Sequence, residues 1–203
     1  MHGLVIVQQI GDRKVEGTTL KNISQIYSIK GKYEKALLYT EQALVIQQQI
    51  GDRQGEGNTM NYTGQIYYSK GDHEIALHYF EQALAIQQQI GDRQGQGGAL
   101  NNISLINRVR GDYDKALLYS HQALAIQQQI GDVLEMGVTL LNMGTMLFEQ
   151  QRTEEAIPLL IQAYQIFQRI GSPNVRGPEN YLNMIFERIG QEKFKEIVAR
   201  MGK

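Results

Sequence analysis

In this 203-residue chain, the residues with the clearest spacing for chemistry are glycines, and the chemistry they could support is phosphate binding. The segment GDRQGQGG spans Gly91 to Gly98, and GDRQGEG spans Gly51 to Gly57. A glycine-rich turn that opens a helix can hold a phosphate on its backbone N–H groups. Neither segment has the GK[ST] ending of a P-loop, and neither follows a strand-like stretch. We therefore interpret both as joints, in which glycine ends one helix and aspartate caps the next.

Other reactive residue types form no recognisable catalytic or metal-binding set. The histidines do not have the spacing of metal ligands; they are His2, His73, His78 and His121. The acidic pair Glu154–Glu155 opens a predicted helix, where carboxylates favour the positive end of the helix dipole. No set of nucleophile, base and orienting residue is visible. The sequence therefore predicts a non-enzyme without metal or cofactor.

Composition and charge exclude several classes of partner. The formal net charge is −1 and hydrophobic residues make up 42% of the chain, which is ordinary for a folded soluble protein. Arg108 and Arg110 are too sparse for a nucleic-acid footprint. There is no cysteine, no apolar run of the roughly 20 residues that cross a bilayer, and no signal-peptide pattern at the start. We expect a soluble, cytoplasmic protein that binds neither nucleic acid nor membrane.

An Ile-Gly dipeptide recurs every 40 residues. It stands at positions 10, 50, 90, 130 and 170, and more than half of the residues in 50–89 are identical in 90–129. A fixed period of this length indicates stacked supersecondary units. Each unit reads as two helices separated by Gly31, Gly71 or Gly111, with Asp72 and Asp112 as candidate caps of the second helix. The fold class is therefore predicted to be all-α, in antiparallel helix pairs.

The positions that repeat most regularly are those of a helix packing face. Apolar or small residues lie at i, i+3 and i+4 of each first helix, and at i+7 in three of the four, as in Leu20, Ile23, Ser24 and Tyr27. Alanines recur in the second helices and allow close helix approach; they are Ala36, Ala43, Ala76, Ala83, Ala116, Ala123, Ala156 and Ala163. The QQQ triplets at 47–49, 87–89 and 127–129 are interpreted as solvated helix ends.

These residues resemble the tetratricopeptide repeat (TPR) signature. The resemblance rests on Leu20-x2-Ile23-Ser24-x2-Tyr27 with Ala36 and Ala43, and on Met60-x2-Thr63-Gly64-x2-Tyr67 with Ala76, Phe80 and Ala83. The 40-residue period is longer than the usual one and is similar to that of kinesin light chains, Pins-type proteins and bacterial multi-repeat proteins. The chain departs from many TPRs in having no tryptophan and in carrying Gln48 and Gln88 where a proline is common. The resemblance implies a right-handed α-α superhelix.

The period divides the chain into four repeats and two ends. The repeats are 11–50, 51–90, 91–130 and 131–170. Residues 1–10 align with the end of a second helix, so we interpret them as the remnant of a preceding repeat. Residues 171–203 lose the period, and we interpret them as a C-terminal pair of capping helices. Their predicted apolar face consists of Leu182, Ile185, Phe186, Ile189, Phe194 and Ile197.

The variable residues of the first helices form the predicted binding face. By resemblance to TPR proteins, this face lines a concave groove and its asparagines grip an extended peptide, since an amide both donates and accepts hydrogen bonds. Four repeats would hold about ten extended residues along about 35 Å. The predicted peptide- or partner-binding residues are Lys21, Asn22, Gln25, Asn58, Asn61, Gln65, Tyr68, Asn101, Asn102, Leu105, Arg108, Leu141, Asn142, Thr145 and Phe148.

Alternatives stay open for these residues and for the function. The asparagines could serve only helix–helix hydrogen bonds, and Val138, Leu141 and Phe148 could be covered by the C-terminal cap. The functional hypothesis is a non-catalytic scaffold or adaptor that binds a protein or peptide in the groove. The alternatives are a homo-oligomerisation module that pairs through residues 1–10, and the interaction part of a larger multidomain protein.

Overall fold

The structure is a computed structural model that describes residues 12–201. In this range the chain forms ten α-helices, one short 3-10 turn at Pro173–Val175 and no strand. The helices are α1 (Arg13–Ile29), α2 (Tyr33–Gln49), α3 (Arg53–Lys70), α4 (His73–Gln89), α5 (Arg93–Val109), α6 (Tyr113–Ile130), α7 (Val133–Glu149), α8 (Thr153–Arg169), α9 (Arg176–Ile189) and α10 (Gln191–Met201). The all-α prediction is confirmed. The predicted remnant at residues 1–10 lies outside the described range.

The helices form two compact units that divide between Val109 and Arg110. Unit 1 contains α1 to α5, and unit 2 contains α6 to α10. Within each unit, helices that are consecutive in sequence pack as antiparallel pairs: α1 with α2 and α3 with α4 in unit 1, and α7 with α8 in unit 2.

Aspartates cap the first helices as the joint pattern predicts. The Asp52 carboxylate accepts the backbone N–H of Gly55 at 3.0 Å, and Asp92 accepts that of Gly95 at 2.9 Å. Asp112 caps a second helix in the same way, at 3.3 Å from the N–H of Lys115. For Asp72 the cap prediction is wrong, because its carboxylate makes no cap hydrogen bond and lies 3.6 Å from Lys70 Nζ instead.

The turns between the two helices of a pair need a left-handed backbone. Gly71 and Gly111 have φ of 88° and 78°, a region that glycine enters without steric cost. In the fourth pair the same position is Gln151, which has φ of 62°. The turn geometry is therefore kept even where the sequence does not supply glycine.

Close helix crossings depend on small residues facing large ones. A methyl group at Gly64 would lie 2.6 Å from the Phe80 ring and 3.1 Å from the Ala76 carbonyl oxygen. Phe80 is 2% exposed and Ala76 is fully buried. In the first pair the equivalent small residue is Ser24, whose hydroxyl donates to the Ala36 carbonyl at 2.8 Å. The conserved spacing of the packing face thus sets how closely each pair of helices approaches.

The first glutamine of each QQQ triplet is buried, so the interpretation of the whole triplet as solvated is wrong. Gln47, Gln87 and Gln127 are at most 4% exposed. Gln96 Nε2 donates to the Gln87 carbonyl at 3.0 Å, and the Thr139 hydroxyl donates to Gln127 Oε1 at 2.9 Å. The first of these bonds goes to the Gln87 backbone and the second to the Gln127 side chain, whereas Gln47 Oε1 and Gln127 Nε2 have no hydrogen-bond partner among residues 12–201.

The predicted capping pair corresponds to α9 and α10. Ile185 and Ile197 are buried in one cluster with Leu160 of α8. Leu182, Ile189 and Phe194 pack against this cluster. Phe186 differs from the prediction, since it is 42% exposed and its ring makes an edge contact with Phe194 at 5.6 Å.

Candidate functional site

The first helices of unit 1 lie side by side, because α3 contacts both α1 and α5. The variable residues of these helices therefore share one surface. Four of the predicted binding residues are exposed on it: Asn22, Gln25, Asn58 and Gln65. The others in unit 1 are half-buried: Lys21, Asn61, Tyr68, Asn101, Asn102, Leu105 and Arg108.

A cavity of about 180 Å³ opens between α1 and α3 on this surface. It brings together two predicted binding residues, Lys21 and Asn58. Its lining also includes Lys14, Thr18, Gln47, Asp52, Gln54 and Gly55. The lining thus contains two lysines and one aspartate, so its formal charge is positive, and three side-chain amides can donate and accept hydrogen bonds. We call this the α1–α3 cavity.

The α1–α3 cavity owes its shape to the joint between the first two helix pairs. A methyl group at Gly55 would lie 2.5 Å from the Asp52 carboxylate and 3.1 Å from the Gln47 amide nitrogen. Gly55 thus lets the Asp52 carboxylate and the Gln47 amide both lie close to the first turn of α3, although the equivalent caps at Val15 and Glu135 form without glycine. Across the cavity, the Thr18 hydroxyl donates to the Lys14 carbonyl at 3.1 Å, so its polar hydrogen is directed along α1.

Two of the predicted asparagines bond to each other across helices. Asn102 Nδ2 of α5 donates to Asn61 Oδ1 of α3 at 3.0 Å. Both side chains are half-buried, so this contact is the helix–helix hydrogen bond that the alternative interpretation foresaw. Each amide keeps further donor or acceptor capacity, because an amide group carries two donors and an oxygen that accepts twice.

Aromatic contact holds Tyr68 near the C-terminal end of α3. Its ring centroid lies 5.3 Å from that of His73, the first residue of α4, at an interplanar angle of 46°. Tyr68 is half-buried. The ring therefore borders the surface next to Gln65, in a position fixed by the α3–α4 turn.

Unit 2 presents a different set of residues on α7. Leu141 and Phe148 pack against the buried cluster that includes Ile185 of α9. The Phe148 ring makes an edge contact with Tyr181 at 5.7 Å and lies 5.9 Å from the Arg188 guanidinium. The capping helix thus covers part of this apolar face, as the second alternative foresaw.

The polar members of the α7 face are less accessible than expected. Asn142 is half-buried, whereas Thr145 is only 4% exposed. The Thr145 hydroxyl donates to the Asn142 carbonyl at 2.9 Å. Because its side chain is buried and its donor is used inside the helix, we leave Thr145 out of the binding set proposed below.

The sequence interpretation missed the cavity residues that do not belong to the variable face. Lys14 lies seven residues before Lys21, a spacing that places both on one side of α1 and could have identified it. Gln47 comes from a second helix, and Gln54 and Gly55 from the joint. Their contribution depends on how α2 leads into α3, for which sequence gives no local signal.

The described residues offer neither a metal site nor a membrane-spanning helix. Between residues 12 and 201, no group of three histidine, cysteine or acidic side chains is arranged to hold a metal ion. In the same range, every helix is too short or too polar to traverse a bilayer.

The sequence matches the family model of the tetratricopeptide repeat over residues 15–89 and 95–169. These two segments cover about three quarters of the chain. Each segment spans two of the predicted 40-residue repeats, without the first four residues of the first and the last residue of the second. No curated protein sequence matches the chain.

Several solved structures share the fold. BtubC (BKLC) from P. vanneervenii is 16% identical with a TM-score of 0.82, and the match covers 98% of this chain and 88% of that one. A putative kinesin light chain with TPR-like repeats from Podosopora anserina is 16% identical, with a TM-score of 0.70 and coverages of 90% and 91%. A STAND signal transduction ATPase with a tetratricopeptide repeat sensor from Pyrococcus horikoshii is 20% identical, with a TM-score of 0.78 and coverages of 94% and 30%.

Proposed function

The chain belongs to the tetratricopeptide repeat family, and from this premise we propose that it is a non-catalytic adaptor whose first-helix surface binds an extended peptide segment of a protein partner. The α1–α3 cavity is the observation that carries the proposal. It is a concave, polar feature on the surface formed by the variable residues, and it includes Lys21 and Asn58. A small number of convergent polar groups in a concave site is typical of ligand recognition.

Extended peptides expose alternating N–H and C=O groups, and the surface of unit 1 suits both. The amides of Asn58 and Gln54 can donate to a peptide carbonyl and accept from a peptide N–H. Lys14 and Lys21 add donors and positive charge, which favours a peptide that carries a carboxylate at this point. The bonded pair of Asn61 and Asn102 lies further along the same surface and fixes the separation of α3 and α5.

In unit 2 the proposed contact residues on α7 are Leu141, Asn142 and Phe148. The two apolar side chains are half-buried and Asn142 lies between them in sequence. The exposed part of the Phe148 ring offers an apolar contact. The proposal assigns no catalytic role to either unit.

Self-association through residues 1–10 stays a prediction, since those residues lie outside the described range. Membership in a larger multidomain protein likewise stays a prediction.

The test is selection from a library of random twelve-residue peptides, followed by calorimetric titration of the enriched peptides against the full chain. Lys21→Ala and Asn58→Ala each remove one polar partner of the α1–α3 cavity. A hydrogen bond to a charged group contributes about 1.5–3 kcal/mol and a neutral one about 1 kcal/mol. We therefore expect Kd to rise at least ten-fold for Lys21→Ala and about five-fold for Asn58→Ala.

Matched controls separate binding from folding. Lys32→Ala and Asn180→Ala change the same residue types at exposed positions outside the cavity and should leave Kd unchanged. Thermal unfolding followed by circular dichroism verifies that all four variants are folded. The proposal fails if no peptide is enriched, or if the two cavity variants bind the enriched peptides as tightly as the controls.

A further inference from the structure

A second concave site lies in unit 1, on the surface formed by α2 together with α3 and α4. Its volume is about 380 Å³, within the range of about 300–1,000 Å³ typical of ligand pockets. None of its lining residues belongs to the set of peptide-binding residues proposed above. We call it the outer pocket.

The outer pocket is lined by leucines, by two tyrosine rings and by two buried threonines, Thr40 and Thr63. Leu37 and Leu44 of α2 are half-buried, and Leu38 is 52% exposed. The rings of Tyr67 and Tyr79 are stacked, with centroids 5.5 Å apart and an interplanar angle of 11°. Because Tyr67 and Tyr79 each cover one face of the other and Lys70 lies over Tyr67, the surface left for a planar group consists of Leu38 and the uncovered part of the Tyr79 ring.

Two lining residues of the outer pocket, Glu34 and Tyr67, already contact a cation, Lys70, which does not itself line the pocket. Lys70 Nζ donates to Glu34 Oε1 at 2.7 Å and lies 5.6 Å from the centroid of the Tyr67 ring. The pKa of Lys70 is raised above its usual value, chiefly by the hydrogen bond to Glu34. The combination of carboxylate and tyrosine ring therefore stabilises a positive charge beside this pocket by ion pairing and by cation–π attraction.

A second carboxylate of the outer pocket, that of Glu41, lies near a tyrosine but has no lysine paired with it among the described residues. Glu41 lies seven residues after Glu34, on the same side of α2, and also lines the pocket. It is exposed, and within residues 12–201 no hydrogen bond or ion pair of its carboxylate is found. Its charge acts on the Tyr79 hydroxyl, since burial, Tyr67 and Glu41 together raise the pKa of Tyr79.

We propose that the outer pocket binds an arginine side chain of a protein partner, with the guanidinium paired to Glu41 and stacked over the tyrosine and leucine surface. The occupant is positively charged because the unpaired group is a carboxylate. Arginine fits better than lysine because its guanidinium is planar, stacks on aromatic rings and bonds a carboxylate through two N–H groups. This inference does not depend on the proposed peptide-binding surface.

The experiment is an NMR titration of the ¹⁵N-labelled full chain with N-acetyl-arginine methylamide, and in parallel with the lysine and citrulline methylamides. Citrulline keeps the planar end group of arginine but lacks its charge. We expect shifts of the amides near Leu38, Tyr67 and Tyr79 with a millimolar Kd for arginine. The lysine probe should bind at least two-fold more weakly and the citrulline probe at least ten-fold more weakly.

A matched pair of variants assigns the binding to Glu41. Glu41→Gln should raise the Kd of the arginine probe at least five-fold. Glu81→Gln changes the equivalent residue of the next repeat, which is exposed and does not line the pocket, and should leave the affinity unchanged. The inference is overturned if citrulline binds as well as arginine, or if the two variants have the same affinity.

The Lys21→Ala variant distinguishes this site from the α1–α3 cavity. It should lose affinity for the selected peptides and keep its affinity for the arginine probe. Loss of arginine binding in that variant would contradict the outer pocket as an independent site.

Discussion

The pair α3–α4 of unit 1 and the pair α7–α8 of unit 2 are built on the same crossing and differ in the residue that fills it. In unit 1, Gly64 faces Phe80, and a methyl group added at Gly64 would lie 2.6 Å from the ring. In unit 2, Gly144 faces Leu160, and a methyl group added at Gly144 would lie 2.8 Å from the leucine side chain. Both large residues are almost fully buried. In these two pairs the crossing therefore has a glycine opposite a large apolar residue, whether that residue is Phe80 or Leu160.

The exposed sides of the same two first helices are unlike. On α3, Asn61 bonds Asn102 of the neighbouring α5. On α7, Phe148 contacts Tyr181 and Leu141 lies against Gly177, so an added capping helix covers part of the face. The comparison shows that packing residues and face residues change independently. A repeat protein can thus alter what it binds without altering how it folds.

The strongest test of the shared crossing is truncation of its large residue. Phe80→Ala should lower the free energy of unfolding by about 4 kcal/mol, and Leu160→Ala by about 3 kcal/mol, because each leaves a cavity in a buried crossing. Urea unfolding followed by circular dichroism measures both. Phe80→Leu places a leucine opposite Gly64, as in unit 2, and should lower the free energy of unfolding by about 1 kcal/mol. A loss below 1 kcal/mol for Phe80→Ala would contradict the assigned role.

A second test fills the space opposite Phe80. Gly64→Ser should destabilise the protein by about 2 kcal/mol, because the added atoms meet the Phe80 ring. The first repeat carries Ser24 and Thr40 at these two positions, so Gly64→Ser combined with Phe80→Thr reproduces a natural pair. The double variant should lose less stability than the sum of the single changes in a double-mutant cycle. Strict additivity would show that the two residues do not share the crossing.

The turn of the fourth pair offers a smaller effect of opposite sign. Gln151 has φ of 62°, a left-handed conformation that costs a non-glycine residue about 1–2 kcal/mol. Gln151→Gly should therefore stabilise the protein by about 0.5–1 kcal/mol once the greater flexibility of unfolded glycine is included. The reciprocal change Gly111→Gln, at φ of 78°, should destabilise it by about 1 kcal/mol. Urea unfolding that gave both changes the same sign would refute the argument.

The smallest expected effect concerns the capping helices of unit 2. Lys193 Nζ lies 2.9 Å from Glu154 Oε1 and lowers the pKa of that carboxyl below its usual value, with a further contribution from Arg200. The Glu154 carboxyl therefore has a lower pKa in the folded protein than in the unfolded chain. The ion pair stabilises the folded protein at pH values above the usual pKa of glutamate. This stabilisation is lost as the pH falls through the lower, folded value.

We therefore expect Glu154→Gln to reduce stability slightly near neutral pH and to have a progressively smaller effect as the pH falls below the usual pKa of glutamate. Urea unfolding at several pH values between 3 and 7 measures this difference. Glu192→Gln, at an exposed acidic position of α10, is the control and should show a smaller pH dependence. An exposed ion pair contributes little, so a large pH-dependent loss would mean that Glu154 has further partners.

The local sequence was sufficient to predict the helices and their turns. The 40-residue period located each joint, Asp52, Asp92 and Asp112 cap helices as expected, and Gly71 and Gly111 occupy left-handed turns. These features depend on interactions between residues at most five apart, such as a cap or a turn hydrogen bond, and so the residue types alone predict them. Gln151 shows that the surrounding helices impose the turn even where the residue type does not favour it.

Contacts between distant residues were decided only by the tertiary structure. Gln87 looks like the other polar residues of its triplet, but it is buried because the following helix packs over it. Asn61 is hydrogen-bonded to Asn102, 41 residues away in sequence, and the Phe148 ring contacts the Tyr181 ring of the capping helix α9. The sequence therefore determined the repeat, its helices and the candidate face. Only the packing of one helix pair on the next decided which of those side chains stay available to a partner, because burial is set by neighbours that are remote in sequence.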